Sequence, residues 1–282
     1  MTPSIKPVTW VAVSETVSSA SGDRSERLRD VERRLFGHPA HLEYQSCFAL
    51  ERSIAVYSAN FGELMTLLQQ AATDERLAVE LVQNVHAPVV RERFQVLVSQ
   101  RLLNYLAATS TLADHTLLIM NGRTGLLADE YGRRKVAFVA HPEVPFMSRL
   151  RNFTLHYKLP VLGHTVSFDA VNTSAQTMKS DVELSATELL QWDGWTRPAE
   201  EFIRQQGNAV QVLPVVRTHH ELVNEFNIWL HTELVSENAA GIAQLNELIV
   251  ERNAILAGVD MDTARLITEE WTTRRATLPA SQ

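Results

Sequence analysis

Cysteine is almost absent from this chain: Cys47 stands alone among 282 residues, so no disulfide can form within it. Long apolar runs are missing too. Arg, Asn, Asp or Glu interrupts every hydrophobic stretch before it reaches the roughly 18 to 20 residues that span a bilayer. Behind Lys6 the Val8 to Val13 stretch is too short for a signal-peptide core, so a cytoplasmic protein without membrane contact is expected. Positive charge is in deficit, with 26 basic against 33 acidic residues and a formal net charge of −7. That balance argues against coating nucleic acid through bulk charge. Several enzyme signatures are lacking as well. There is no Gly-x-x-x-x-Gly-Lys-Ser/Thr phosphate loop, no Gly-x-Gly-x-x-Gly, no His-Glu-x-x-His and no Gly-x-Ser-x-Gly. None of the ten histidines has a glutamate three residues before it, which excludes the usual di-iron pattern of helical bundles. No cofactor is expected.

What is present is the balance of a globular protein, 45% hydrophobic and 21% charged. His38-Pro39-Ala40-His41 and His219-His220 could bind a metal in principle, but neither pair has a third ligand at suitable spacing, and no metal site is expected. Cys47 lies within an apolar stripe and reads as a small core residue rather than a reactive thiol.

The periodicity is mainly helical. Residues 1–23 read as a loosely held arm, and the spacing of Asp23 and Glu26 suggests a capping box that starts a charged helix ending before Gly37-His38-Pro39. Cys47, Leu50, Ile54, Tyr57, Phe61, Leu64 and Leu68 alternate at three and four residues, predicting a long helix over 42–72. A second runs from Pro88 through Phe94, Val98, Leu102, Tyr105, Leu112 and Ile119 to Asn121-Gly122. With a short helix near 74–84 between them, the pair suggests an antiparallel bundle, continued by helices over 126–140 and from about Pro145 to Lys158. After Gly163 the period drops to two, which predicts a β-hairpin over 164–185 around the polar loop 172–177. Ser185 and Glu188 form another capping box. Helices near 198–206, from about Thr218 with a softer point at 236–241, and after Asp260 or Asp262 complete the chain. The fold class expected is mainly α: an antiparallel bundle over 24–160, with the hairpin and C-terminal helices of 161–282 packed on it.

One short motif carries chemistry. Arg151-Asn152-Phe153-Thr154-Leu155-His156 combines a permanent cation, an amide and a group that exchanges protons near neutral pH. RNA cleavage without a metal needs such groups: a base for the 2′-hydroxyl, an acid for the leaving oxygen, and positive charge at the crowded phosphate. The surroundings add charge, since Arg133, Arg134, Lys135, Arg149, Arg151 and Lys158 face only Glu143 between Tyr131 and Pro160. Arg133 to Lys135 also fit a solvated helix end.

Arg151, Asn152 and His156, late in a helical bundle, resemble the signature of the HEPN superfamily: an arginine, a polar residue, and a histidine a few positions on. Tyr157 and Leu159-Pro160 continue the likeness, which covers at most residues 42–160. The resemblance implies a metal-independent endoribonuclease, of the kind found in toxin–antitoxin or anti-phage systems, acting on RNA as a homodimer with an antitoxin-like protein as a possible partner. In that scheme His156 exchanges the proton, Arg151 stabilises the phosphorane and Asn152 orients His156 or the substrate, with Arg149 and Lys158 holding phosphate. On a helical wheel, however, Asn152, His156 and Arg149 share a flank, while Arg151 falls about 140° from His156. Arg149 is therefore an alternative partner for the histidine. The rival class is a non-catalytic binding or scaffold protein, with Trp192, Trp195, Trp229 and Trp271 either buried or anchoring a partner.

Overall fold

The structure is a computed structural model that describes residues 21–83, 88–160, 162–169 and 177–277. It is mainly helical with a small antiparallel sheet. Up to residue 20 the expected arm lies outside the described residues, whereas 21–23 already belong to helix α1 (Ser21–Phe36), so Asp23 sits in its first turn rather than before it. Then come α2 (His41–Thr73), α3 (Glu75–Gln83), α4 (Pro88–Met120), α5 (Leu126–Ala140) and α6 (Glu143–His156). Strands β1 (Leu162–Asp169) and β2 (Thr177–Ser185) follow, then α7 (Ala186–Leu189), α8 (Arg197–Gln205), β3 (Ala209–Gln211) and α9 (Val212–Glu237). Helices α10 (Ala239–Ala257) and α11 (Met261–Thr277) end the described chain. Among the described residues no helix is long and apolar enough to cross a membrane.

Two compact units divide the chain, and the division does not follow sequence order: Met1–Arg52 with Trp229–Gln282 form one, Ser53–Ile228 the other. In the first, α1 packs on α10, burying Val31 and Leu35 of the former and Ile242, Leu245 and Ile249 of the latter. Arg24 donates from Nε to the Ile255 carbonyl at 2.8 Å, placing a cation at the negative end of α10. The chain leaves α10 through Gly258 in the left-handed region, at φ 70°. Asp260, one of the two anticipated caps, then receives the Thr263 amide at 2.9 Å and starts α11.

In the second unit, three side-chain contacts fix how α2 and α4 run. Ser53 meets His115, Tyr57 meets Tyr105, and Glu63 meets Arg101, so numbers rise along one helix as they fall along the other: the pair is antiparallel. The stripes named above supply the core, with Tyr57, Leu64 and Leu68 of α2 and Val98, Leu102, Tyr105 and Leu112 of α4 all buried. Between the two helices the Asp74 carboxylate caps α3 by accepting the Arg76 and Leu77 amides.

Four local differences from the expected elements have physical causes. Helix α6 stops at His156, two residues early, because Tyr157 leaves helical geometry (φ −121°, ψ −73°) ahead of Leu159-Pro160. The hairpin begins at Leu162, where Leu162 pairs with Leu184, and the loop over 170–176 falls outside the described residues. It is also not alone: β3 pairs antiparallel with the end of β2, Leu184 opposite Val210. Finally, α9 starts at Val212 rather than near Thr218, since Pro214 sits in its first turn where a missing amide costs nothing. The Ser185 cap is present, accepting the Glu188 amide.

Candidate functional site

Helix α6 is held from one side by aromatic rings. Phe153 lies 5.7 Å from both Trp192 and Trp195, Phe146 lies 5.8 Å from Trp195, and Phe202 of α8 closes on Phe146 at 4.9 Å. The Trp192–Trp195 turn needs Gly194, because a Cβ there would stand 2.1 Å from Trp192 Cζ2. Trp195 donates from Nε1 to the Leu189 carbonyl at 2.6 Å, so both tryptophans of this turn serve the fold. The apolar stripe of α6 is thereby committed, and the roughly opposite face, carrying Val144, Met147, Arg151 and Asn152, is left for other work.

That face opens on a cavity of about 370 Å³. Residues of α4, α5, α6 and α9 line it, mostly through apolar groups such as Leu112, Phe138, Met147 and Phe226. Arg151 and Asn152 belong to this lining; His156 and Arg149 do not. The guanidinium Nη1 of Arg151 lies 3.5 Å from Asn152 Oδ1, at the limit of a hydrogen bond, and its Nε is buried with no acceptor among the described residues. Helix α6 ends regularly and nothing bends His156 back, so the wheel separation of Arg151 and His156 persists; His156 is exposed at the last turn. Lys158 is held by Glu188 at 2.7 Å and lies over the Tyr157 ring, which leaves it little freedom for a phosphate.

The histidine at the cavity is instead His219 of α9, 2% exposed. Burial, and then the neighbouring His220, hold its pKa down to about 3, so the ring is neutral at physiological pH. Its Nδ1 lies 2.7 Å from the Tyr105 hydroxyl. Two further polar residues of the lining satisfy each other: Thr116 Oγ1 is 3.0 Å from Asn227 Oδ1, and Asn227 Nδ2 donates to the Val223 carbonyl. Lys135 joins from α5, while Arg133 and Arg134 pair with Glu130. Of the basic cluster, Lys135 and Arg151 thus line the cavity, while Arg133, Arg134 and Lys158 pair with carboxylates.

Helix α5 explains why the cavity is there. Its 15 residues include none that is buried, yet Tyr131, Lys135, Phe138 and Val139, at helical spacing, form one cavity wall. Tyr131 and Phe138 lean on Phe226 of α9 at 5.7 and 5.1 Å. The stripe that would normally cover a core covers the cavity.

His219 was legible only as half of a possible metal pair, and among the described residues no cluster of three or more His, Cys, Asp or Glu stands ready for a metal. Tyr57 and Tyr105 read as apolar stripe members. The overlooked signal was chemical: a tyrosine deep in a stripe that Phe would fill equally well needs a partner for its hydroxyl. In the first unit a second hollow, lined by Arg24, Arg27 and Asp260 among others, has Arg24 already engaged with the α10 carbonyls. No family model, curated protein or solved structure matches the chain.

Proposed function

We propose that this chain is a binding protein that takes a small organic anion with an apolar body into the cavity beside α6. One observation carries the reading: Arg151 lines a mostly apolar cavity with its Nε–H enclosed without an acceptor and its Nη1 no nearer than 3.5 Å to a neutral amide, and a cation in such surroundings is costly unless an anion meets its guanidinium. The volume is near the lower end for small-molecule sites and suits a body of two or three rings rather than a polymer strand. Bound there, the ligand's body also gives the α5 stripe something to pack on. Titration with 8-anilinonaphthalene-1-sulfonate and with its uncharged counterpart N-phenyl-1-naphthylamine tests this. The sulfonate should bind at one site per chain, and Arg151→Gln should weaken it about tenfold while changing the neutral probe less than twofold, the loss of one charge-assisted bond. Equal effects on the two probes would remove the anion from the proposal.

A second reading, the HEPN-like endoribonuclease, is favoured by the pairing of Arg151 with Asn152 at a solvent-reachable cavity and by the exposure of His156 at the end of the same helix. One chain then offers half a site, and a two-fold dimer would have to bring His156 to the Arg151 of the second copy, with RNA between them. Under this reading wild type cleaves RNA in EDTA, leaving 2′,3′-cyclic phosphate ends, and His156→Ala abolishes cleavage. Under the first reading His156→Ala leaves sulfonate binding unchanged and no RNA is cut by the dimeric or monomeric protein.

A further inference from the structure

His219 is one end of a string of four side chains. Its Nδ1 is 2.7 Å from Tyr105 Oη, which is 3.1 Å from Tyr57 Oη, which is 3.1 Å from His220 Nδ1. Both tyrosines are 0% exposed, and burial raises their hydroxyl pKa values far above the ordinary range, so they stay protonated. His220 is half-buried, stacked on Phe61 with ring centroids 3.4 Å apart and on Tyr57 at 5.3 Å. Burial lowers its pKa to about 4. Two consecutive residues of α9 therefore clasp a tyrosine from α4 and one from α2.

Hydrogen counting limits what such a string can do. A neutral histidine has one ring N–H and a tyrosine one O–H, so the three links hold one hydrogen each in only two ways if no tyrosine hydrogen points out of the string. In one, His220 Nδ1–H donates to Tyr57, Tyr57 to Tyr105, and Tyr105 to His219 Nδ1; His219 then carries its hydrogen on Nε2. In the other every link is reversed, and His219 Nε2 is a bare acceptor. The two histidines hold opposite tautomers in both. Passing between them takes a proton in at one outer Nε2, moves each of three hydrogens across one link, and releases a proton from the other Nε2.

We propose that occupancy of the cavity by an anion sets the direction of this string, fixing His219 as an Nε2–H donor beside Arg151 and forcing His220 into the Nδ1–H tautomer. The inference rests on the anion-binding reading above and adds how the site selects: a ligand must offer an acceptor to both the guanidinium and a neutral imidazole, and its arrival is registered at His220, outside the lining. Tyr57 and Tyr105 are positioning residues, acting on the ligand only through His219.

Long-range proton–nitrogen correlation spectra of the full chain with ¹⁵N-labelled histidine, at pH 7.5, test it. Free protein should show opposite tautomers at His219 and His220, and the same tautomer at both would overturn the string. Adding 8-anilinonaphthalene-1-sulfonate should leave His219 as Nε2–H and His220 as Nδ1–H. With the probe bound, an Nδ1–H His219 would overturn the selection. Tyr105→Phe, which removes only the hydroxyl, should uncouple the His220 tautomer from the probe and weaken its binding about threefold, without the tenfold loss of Arg151→Gln. If His220 still responds to the probe in Tyr105→Phe, the tyrosines carry nothing and the proposal falls. Should the sulfonate fail to bind, the anion-binding reading is what fails, and with it this selection, whereas the tautomers of the free protein still report on the string alone.

Discussion

Phe153→Ala should lower the unfolding free energy by about 4 kcal/mol, as urea denaturation would measure, the cost of deleting a fully enclosed aromatic ring. Phe153 is 0% exposed and touches three other rings, those of Tyr157, Trp192 and Trp195. It sits inside the Arg-Asn-x-x-x-His motif, so the experiment separates the motif's two jobs. Its central aromatic ties α6 to the Trp192–Trp195 turn, while Asn152 and His156 on the flank should each tolerate alanine within about 1 kcal/mol, as surface or cavity positions without core packing do. A loss below about 1.5 kcal/mol for Phe153→Ala would mean that the aromatic cluster does not hold the helix.

Acid should destabilise this protein before its carboxylates begin to titrate. His219 titrates near 6.5 in the unfolded chain and at about 3 in the fold, where burial and then His220 disfavour the cation. As pH falls through 6.5 the unfolded state takes up a proton that the folded state refuses. Stability is therefore full above that pH and declines until the folded ring also protonates. From pH 7.5 to pH 5 this amounts to about 2 kcal/mol from His219. His220, lowered to about 4 by partial burial, acts in the same direction. Unfolding free energies from urea titrations across that window should fall for wild type and fall about 2 kcal/mol less for His219→Gln. Free energies that stay level in wild type would mean that His219 reaches water in the folded state.

Where the controlling interactions are local, the elements were readable. Pro88 at the start of α4, the Asn121-Gly122 break with Gly122 at φ 76°, and the Ser185 cap each act within a turn, and the corresponding boundaries agree closely. Strand β3 was not readable, because three residues carry no period and their pairing partner, Glu183 to Ser185, lies across α8. The site divides in the same way. Arg151 and Asn152 were visible by residue chemistry and do share a surface; the histidine beside them was not, since the Tyr105 to His219 bond closes over 114 residues and no spacing rule reaches that far. His156, the histidine at motif spacing, does not line the cavity: it falls about 140° around α6 from Arg151 and one turn beyond Asn152, at the exposed end of the helix. Lys135, itself exposed, was hidden among neighbours that do not line the cavity.

The pairing of α1 with α10 imposes an order of events on synthesis. Arg24 and its carbonyl acceptor at Ile255 are 231 residues apart, and the Arg34–Glu251 ion pair spans 217. At ribosomal speeds of roughly 5 to 20 residues per second, α1 waits on the order of ten seconds or more for its partner helix, with Val31 and Leu35 uncovered meanwhile. The segment Ser53–Ile228 is contiguous and needs no such delay. A nascent chain halted between residues 228 and 239 would thus hold every residue that lines the cavity and still present α1 as bare apolar surface, a handle for chaperones or proteases that disappears once α10 emerges.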